Sequence, residues 1–318
     1  MAQHNPSSPT IWTGRHSDTK EYWYQMVKCL PDQNIPNLKN SRTVVILGYV
    51  GDEGVKRNQG RIGSNKGPEA IRKVMGPMAY HLSETVKIFD LGNVFTQNHD
   101  MESSHEMIKD MLSKIIKNRA FPIVLGGGHD LAYPHGSALF QYVLEKGEKL
   151  GIINLDAHFD LRPFINGKGH SGSPFFQLAE KYHSEFHYLC LGIQRAGNPI
   201  SLFETATKKG VNWIEMEDFY LENWEQIKNQ LDSFCQNVNK IYLSIDLDGF
   251  SSAYAPGVSA PSPMGFSPEI AMKVLDFIAR SGKLLSMDVV ELNPDFDQDN
   301  STARLAARCI EFIVRKMY

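Results

Sequence analysis

Long hydrophobic runs are missing from this sequence. Stretches such as FPIVLGG and GKLLSMDVV are far too short to cross a bilayer. The amino-terminal MAQHNPSSPT is polar and lacks the apolar segment of a secretory signal. No basic excess or basic run is present and the net charge is −3, which excludes a general nucleic-acid or membrane-surface binder. Cysteine is scarce. Cys29, Cys190, Cys235 and Cys309 are widely scattered and form no C-x-x-C pair, the pattern of buried free thiols in a reducing compartment such as the cytoplasm. No internal repeat, low-complexity tract or clear linker divides the 318 residues, a length that suits one large α/β domain or two small ones.

What is present alternates. TVVILGY (43–49), VKIFDLG (86–92), FPIVLGGG (121–128), LGIINLDAH (150–158), FHYLCLG (186–192), VNWIEM (211–216), KIYLSIDLD (240–248) and LLSMDVVEL (284–292) are short, nearly continuous apolar runs. Such runs suit strands buried on both faces of a parallel sheet. Helical patterns lie between them. GPEAIRKVM opens with Gly67, Pro68 and Glu69, and the stretch ending in KIIKN sets Met107, Met111, Ile115 and Ile116 on one face. Similar patterns fill 133–146, 174–183, 222–238, 267–281 and 301–317. The alternation predicts a three-layer α/β/α sandwich with a mainly parallel central sheet of about eight strands. Residues 1–40 are more polar and are expected to form an extension packed on a single domain spanning 41–318. The run from Val50 to Lys66 has little apolar content and reads as a long functional loop.

Three of the predicted strands end in metal-type residues, at the carboxyl ends where open α/β sheets place their sites. IVLGGGHD delivers His129; its glycines match neither the P-loop nor the G-x-G-x-x-G spacing, which argues against a phosphate cradle. NLDAHFD delivers Asp156, His158 and Asp160. If the extended conformation persists through Asp160, residues at i, i+2 and i+4 share one face and converge. YLSIDLDG delivers Asp246 and Asp248 in the same way. Carboxylates and imidazoles without cysteine favour Mn²⁺ or another divalent ion over structural zinc. Four aspartates would balance two dications, and a pair about 3.5–4 Å apart can lower the pKa of a shared water. Glu291, at the end of its own strand, reads equally as a salt-bridge partner or a site residue.

In this order, GGGHD, DAHFD and SIDLDGFSSAYAPG resemble the signatures of the ureohydrolase family of arginases, agmatinases and formimidoylglutamases. GxxxGPxxIR (Gly63 to Arg72) and DVVELNP (Asp288 to Pro294) fit as well, and the resemblance covers roughly residues 42–317. It implies the three-layer sandwich and two Mn²⁺ per chain. One ion would be held by His129, Asp156, Asp160 and Asp246, and the other by Asp156, His158, Asp246 and Asp248, with Asp156 and Asp246 bridging. It implies attack of a metal-bridging hydroxide on an amidine-type carbon, with Glu291 gripping the cationic nitrogens and Asp248 transferring a proton. Family members commonly assemble as trimers or hexamers, so a homo-oligomer is expected.

Within that family the chain looks most like the formimidoylglutamase branch, through IWTGRHSD (Ile11 to Asp18), DEGVKRNQGRIG (Asp52 to Gly63), DAHFDLR and FSSAYAPGVSAP. The D-P dipeptide that usually follows D-x-D in arginase-like chains is replaced by GFSSAYAPG. The resemblance implies hydrolysis of N-formimidoyl-L-glutamate to L-glutamate and formamide, a step of histidine degradation. That small-molecule substrate carries two carboxylates, so Arg162, Arg57 and Arg61, with Asn58 beside them, are candidate substrate-binding residues. Arginase and agmatinase place a proton-shuttling His in the segment matching SGSP; Ser171 stands there here, which makes the adjacent His170 a catalytic candidate. The rival readings are a ureohydrolase acting on agmatine or a guanidino acid, a binuclear phosphoesterase, and a non-catalytic binding subunit. The phosphoesterase normally needs further downstream histidines where this chain has D-x-D, and six intact ligands argue against the binding subunit.

Overall fold

The structure, a computed structural model, describes residues 2–36 and 42–318; the expected boundary between residues 40 and 41 falls outside them. Among the described residues ten strands form one sheet: β1 (Gln3–Asn5), β2 (Val27–Cys29), β3 (Arg42–Val50), β4 (Val86–Phe95), β5 (Phe121–Leu125), β6 (Leu150–Leu155), β7 (His187–Ile193), β8 (Asn212–Glu215), β9 (Lys240–Asp246) and β10 (Leu284–Val290). The helices are α1 (Trp23–Met26), α2 (Glu53–Arg57), α3 (Gly67–Met75), α4 (Met101–Lys117), α5 (Ala132–Leu144), α6 (Pro174–Tyr182), α7 (Ile200–Lys208), α8 (Trp224–Gln236), α9 (Pro268–Arg280) and α10 (Ser301–Met317). The spatial order is β1-β4-β3-β5-β10-β9-β6-β7-β8, with β2 also pairing β4. Among the described residues β1 alone runs antiparallel to its neighbour.

The eight anticipated apolar runs are β3 to β10. Their continuity has the expected cause: each face of the sheet carries its own buried cluster. Ile46, Ile123, Leu243 and Met287 pack under α3, α8, α9 and α10. Val45, Val124, Ile152 and Tyr242 pack under α4, α5 and α6. The result is the three-layer sandwich. The helix α7 was not anticipated. Its apolar face is thin, with Leu202 and Ala206 buried while Ile200 is 78% exposed, so the sequence shows little helical periodicity.

Sheet order places the site. Chain order reverses between β5 and β6, and β10 and β9 fill the gap between them. The carboxyl ends of β5, β10, β9 and β6 therefore lie side by side at a topological switch point, where α/β sheets open a crevice. The segment 50–66 is not structureless as expected. Glu53 and Arg57 pair across the single turn of α2 at 3.1 Å, and Asp52 Oδ2 accepts the amide of Gly63 at 2.9 Å, closing the loop on itself.

The amino-terminal residues join the sheet edge through β1 and β2, and one buried carboxylate ties them down. Asp90 on β4 accepts from Arg72 Nε and Nη2, both at 2.8 Å, from Trp12 Nε1 at 2.8 Å and from Ser7 Oγ at 2.6 Å. Arg72 and Asp90 are both fully buried. No helix among the described residues is long and apolar enough to cross a membrane. Removing one member of such a pair strands the other charge, so Arg72→Ala is expected to destabilise the chain by about 3–5 kcal/mol in urea unfolding. A loss below about 1 kcal/mol would mean that the pair is dispensable.

Candidate metal centre

Each of the four central strands stops where its functional side chain begins. β5 is followed by Gly126, Gly127 and Gly128, and then by His129 in a short 3₁₀ turn. Gly127 is required by contact: a Cβ there would sit 1.9 Å from the Gly51 carbonyl oxygen. β6 ends at Leu155, so Asp156, His158 and Asp160 do not continue a strand. Instead Asp156 Oδ1 accepts the amide of His158 at 2.7 Å, and Asp160 adopts φ +50°. Asp246 likewise accepts the amide of Asp248 at 2.8 Å, with Asp248 in a 3₁₀ turn. The spacing of two thus arises from paired Asx turns rather than from strand alternation. The sequence expectation identified the convergent residues but misread the geometry that brings them together.

Two groups of side chains could each hold a cation: His129, Asp156, Asp160 and Asp246, and beside them Asp156, His158 and Asp248. Asp156 belongs to both. Asp246, expected in both, is grouped only with the first. In the first group, His129 Nδ1 lies 3.3, 2.9 and 3.0 Å from oxygens of Asp156, Asp160 and Asp246. In the second, His158 Nδ1 lies 3.5 Å from Asp156 and 3.2 Å from Asp248.

The tautomer of His129 can be counted. Ser244 Oγ has one proton and donates it to Asp288 at 2.6 Å, so at 2.9 Å from His129 Nε2 it accepts. The Nε2 proton being used there, Nδ1 of the neutral ring presents a lone pair to three carboxylate oxygens. His129 Nδ1 and Asp248 Oδ1 are both buried without a hydrogen-bond partner. A nitrogen lone pair facing carboxylates at this distance is repulsive until a proton or a metal ion stands between them. The donor set is oxygen-rich with two imidazoles, which fits Mn²⁺.

Charge in the metal-free cluster follows the same logic. Burial alone disfavours imidazolium at His129, but Asp156, Asp160 and Asp246 outweigh it and hold the ring well above its ordinary value. Burial and then the neighbouring Asp156 push Asp160 up to about 6. Burial, Asp248 and Asp156 raise Asp246 strongly. Burial also raises Asp156, yet its bonds from His129 and His158 win and keep it well below the usual carboxylate range. Without cations, the site therefore retains protons.

These groups open into a cleft of about 320 Å³. A larger cavity of about 510 Å³, lined by Lys149, His187 and Asn212 at the opposite ends of the strands, contains neither ligand group. Arg162 lines the cleft, exposed, and its guanidinium has no partner among the described residues. Arg61 lines it too, anchored by Nε to Ser259 O at 2.9 Å and Nη2 to Val258 O at 2.6 Å, and lying over the Phe296 ring at 3.8 Å. Asn58 donates to Ser171 Oγ at 3.2 Å on the cleft wall.

Two expected residues are not brought to the cleft. Arg57 is only 11% exposed, and its guanidinium is taken up by Glu53, Glu102 and the carbonyls of His99 and Gly169. His170 is buried with both ring nitrogens engaged, Nε2 with Pro163 O at 3.0 Å and Nδ1 accepting from Gly172 N at 3.2 Å. It shapes the turn that carries Ser171. Other site residues escaped the sequence reading. Asn154 donates to Asp156 Oδ2 at 2.9 Å, and Asn198 accepts the Phe159 amide at 3.1 Å while donating to Ala157 O at 2.8 Å. Asn293 pins the loop beneath Arg61 through the carbonyls of Arg61 and Ile62. Lone asparagines carry no spacing signal that would have marked them.

Glu291 follows β10 with φ +67°, a strained conformation for a side-chain-bearing residue, and its Oε1 accepts the His129 amide at 2.8 Å. Burial, with Asp248 nearby, pushes its carboxyl up to about 8 from 4.5. Between those values the folded metal-free chain holds a proton that the unfolded chain has released, so stability falls as pH rises through this window. Glu291→Gln removes that slope. Thermal unfolding of the metal-free proteins should show the wild type losing more stability from about pH 5 to pH 8 than the variant does. Parallel profiles would contradict the assignment.

The described geometry has counterparts in known proteins. The family model described as Arginase family matches residues 42–314. A protein named formimidoylglutamase from Clostridium tetani (strain Massachusetts / E88) is 36% identical over 323 residues, covering 98% of this chain and 95% of the other. One of the same name from Legionella pneumophila (strain Lens) is 38% identical over 315 residues, covering 98% and 97%. The crystal structure of Trypanosoma cruzi formiminoglutamase with Mn²⁺ superimposes with a TM-score of 0.76 at 27% identity, covering 87% of this chain and 94% of that one. With the match spanning nearly the whole sheet and every candidate ligand, the chain belongs to the arginase family.

Proposed function

We propose that this chain is a formimidoylglutamase, a hydrolase of linear amidines that converts N-formimidoyl-L-glutamate to L-glutamate and formamide with two Mn²⁺ per chain. The observation that carries the metal part is the bare Nδ1 of His129 facing three carboxylates. His129, Asp156, Asp160 and Asp246 would hold one ion, and Asp156, His158 and Asp248 the other. When bound, two such ions supply Lewis acidity and a water-derived nucleophile at neutral pH.

The protein's own groups do the rest. Glu291 is fixed through one oxygen by the His129 amide, leaving the other for the cationic formimidoyl nitrogen. Asp248 Oδ1, buried and unpartnered, is placed to hold a proton and pass it to the departing amine. His170, with both ring nitrogens engaged by Pro163 O and Gly172 N, is not free for this transfer. The choice of substrate rests on Arg162. An unpaired guanidinium in the cleft, with Arg61 and Asn58 along the same wall, suits a dicarboxylate. Agmatine has no carboxylate to offer it. The names of the Clostridium and Legionella relatives support the same reading.

Mn²⁺-loaded protein offered formimidoylglutamate, arginine and agmatine side by side should release formamide and glutamate from the first and little urea from the others. Urea as the main product would sink the proposal. Truncating one charge-assisted contact costs about 1.5–3 kcal/mol, so Arg162→Ala should raise KM for formimidoylglutamate roughly 10- to 100-fold with kcat less affected. An unchanged KM would remove Arg162 from the substrate site.

A further inference from the structure

Behind His129 a line of polar side chains runs through the core where apolar packing would be expected. On β9, Tyr242, Ser244 and Asp246 alternate with Ile241, Leu243 and Ile245, and the two sets face opposite sides of the sheet. β10 pairs beside it with Ser286 opposite Tyr242 and Asp288 opposite Ser244. His135 of α5 lies over this stripe, its ring 4.3 Å from that of Tyr242. Tyr242, Ser244, Ser286, Asp288 and His135 are all fully buried.

Their bonds form one directed chain. Ser244 accepts from His129 and donates to Asp288 Oδ1 at 2.6 Å. Asp288 Oδ2 is held by the Tyr242 hydroxyl and, at 2.7 Å, by His135 Nδ1. With Nδ1 donating to Asp288, Nε2 of the neutral His135 ring accepts the one proton of Ser286 Oγ at 2.7 Å. Burying a carboxylate and an imidazole this deeply is costly unless every bond is made. Here both oxygens of Asp288 are satisfied, and its one free choice, which way to aim Oδ1, is settled by the two donors on Oδ2.

We propose that His135, with Tyr242, is a positioning residue for the first metal ligand group. Together they fix Asp288, which fixes the Ser244 hydroxyl, which keeps the proton of His129 on Nε2 and its Nδ1 lone pair aimed among Asp156, Asp160 and Asp246. The inference rests on the two-ion reading above and goes beyond it by making the two sites unequal. Among the described residues this line of bonds reaches His129 and includes neither His158 nor Asp248, so it acts on one site of the two. Groups that orient a ligating histidine typically change metal affinity 10- to 100-fold.

The test is calorimetric titration of MnCl₂ into metal-free full-length protein, with Asp160→Asn and Asp248→Asn marking which binding step belongs to which site. His135→Ala should weaken the step marked by Asp160→Asn about 10- to 100-fold and spare the other. His135→Asn, whose amide can reach Asp288 from the position of Nδ1, should restore most of the loss. Tyr242→Phe removes a single hydroxyl at constant shape and should weaken the same step by a smaller factor, which keeps the test open if His135→Ala does not fold. Equal weakening of both steps, or no change in either, overturns the proposal and leaves the cluster a packing feature. A wild type that takes up no Mn²⁺ fails earlier, overturning the two-ion reading and the relay with it.

Discussion

The site depends on one electrostatic constraint: Asp156, Asp160, Asp246, Asp248 and Glu291 converge in a space from which water is largely excluded. Two like charges about 4 Å apart repel by about 4 kcal/mol even at an effective dielectric constant near 20. Five cannot ionise together on the protein's own resources. The metal-free chain responds as physics requires, with His129 drawn to its charged form and Asp160, Asp246 and Glu291 pushed towards their neutral ones. Two dications bound among these groups would reverse every one of these tendencies at once and would stabilise the folded chain.

Such a cluster can be held only by a scaffold that does not relax away from it. The scaffold is the middle of a parallel sheet buried on both faces, with three of four adjacent strands delivering the candidate ligands, and the fourth Glu291, at their carboxyl ends. Short-range bonds then fix the details. Asx turns aim Asp156 and Asp246, asparagines at 154 and 198 brace the turn between, and the amide of His129 holds Glu291 in a strained backbone conformation. The cleft wall is fixed less tightly. Arg61 is tied to the 258–259 backbone and Asn293 carries its loop, while Arg162 is left for whatever enters. Rigid ligands beside an unpaired cation are the arrangement that a small anionic substrate needs.

Much of this was legible in the sequence. Continuous apolar runs marked all eight central strands because a sheet covered on both faces leaves no polar side to alternate with. The six candidate ligands were legible because their spacing is local, although the Asx turns that create it were not, since D-x-H reads alike on a strand or a turn. Arg57 and His170 misled for the opposite reason. Their chemistry was right, but their partners, Glu102 and the Pro163 carbonyl among them, come from bonds that no local pattern reveals. Asn198, Ser244 and His135 act through residues far away in the chain and carry no signature. The stripe Tyr242, Ser244, Asp246 was visible as alternation in YLSID, yet only the pairing of β9 with β10 shows that it leads to His129.

The account stands on two cations sharing Asp156. Anomalous diffraction at the manganese edge, from crystals of the chain grown with Mn²⁺, tests this most directly. The account predicts two peaks, one among His129, Asp156, Asp160 and Asp246 and the other among Asp156, His158 and Asp248. A single peak, or none at these residues, would contradict it.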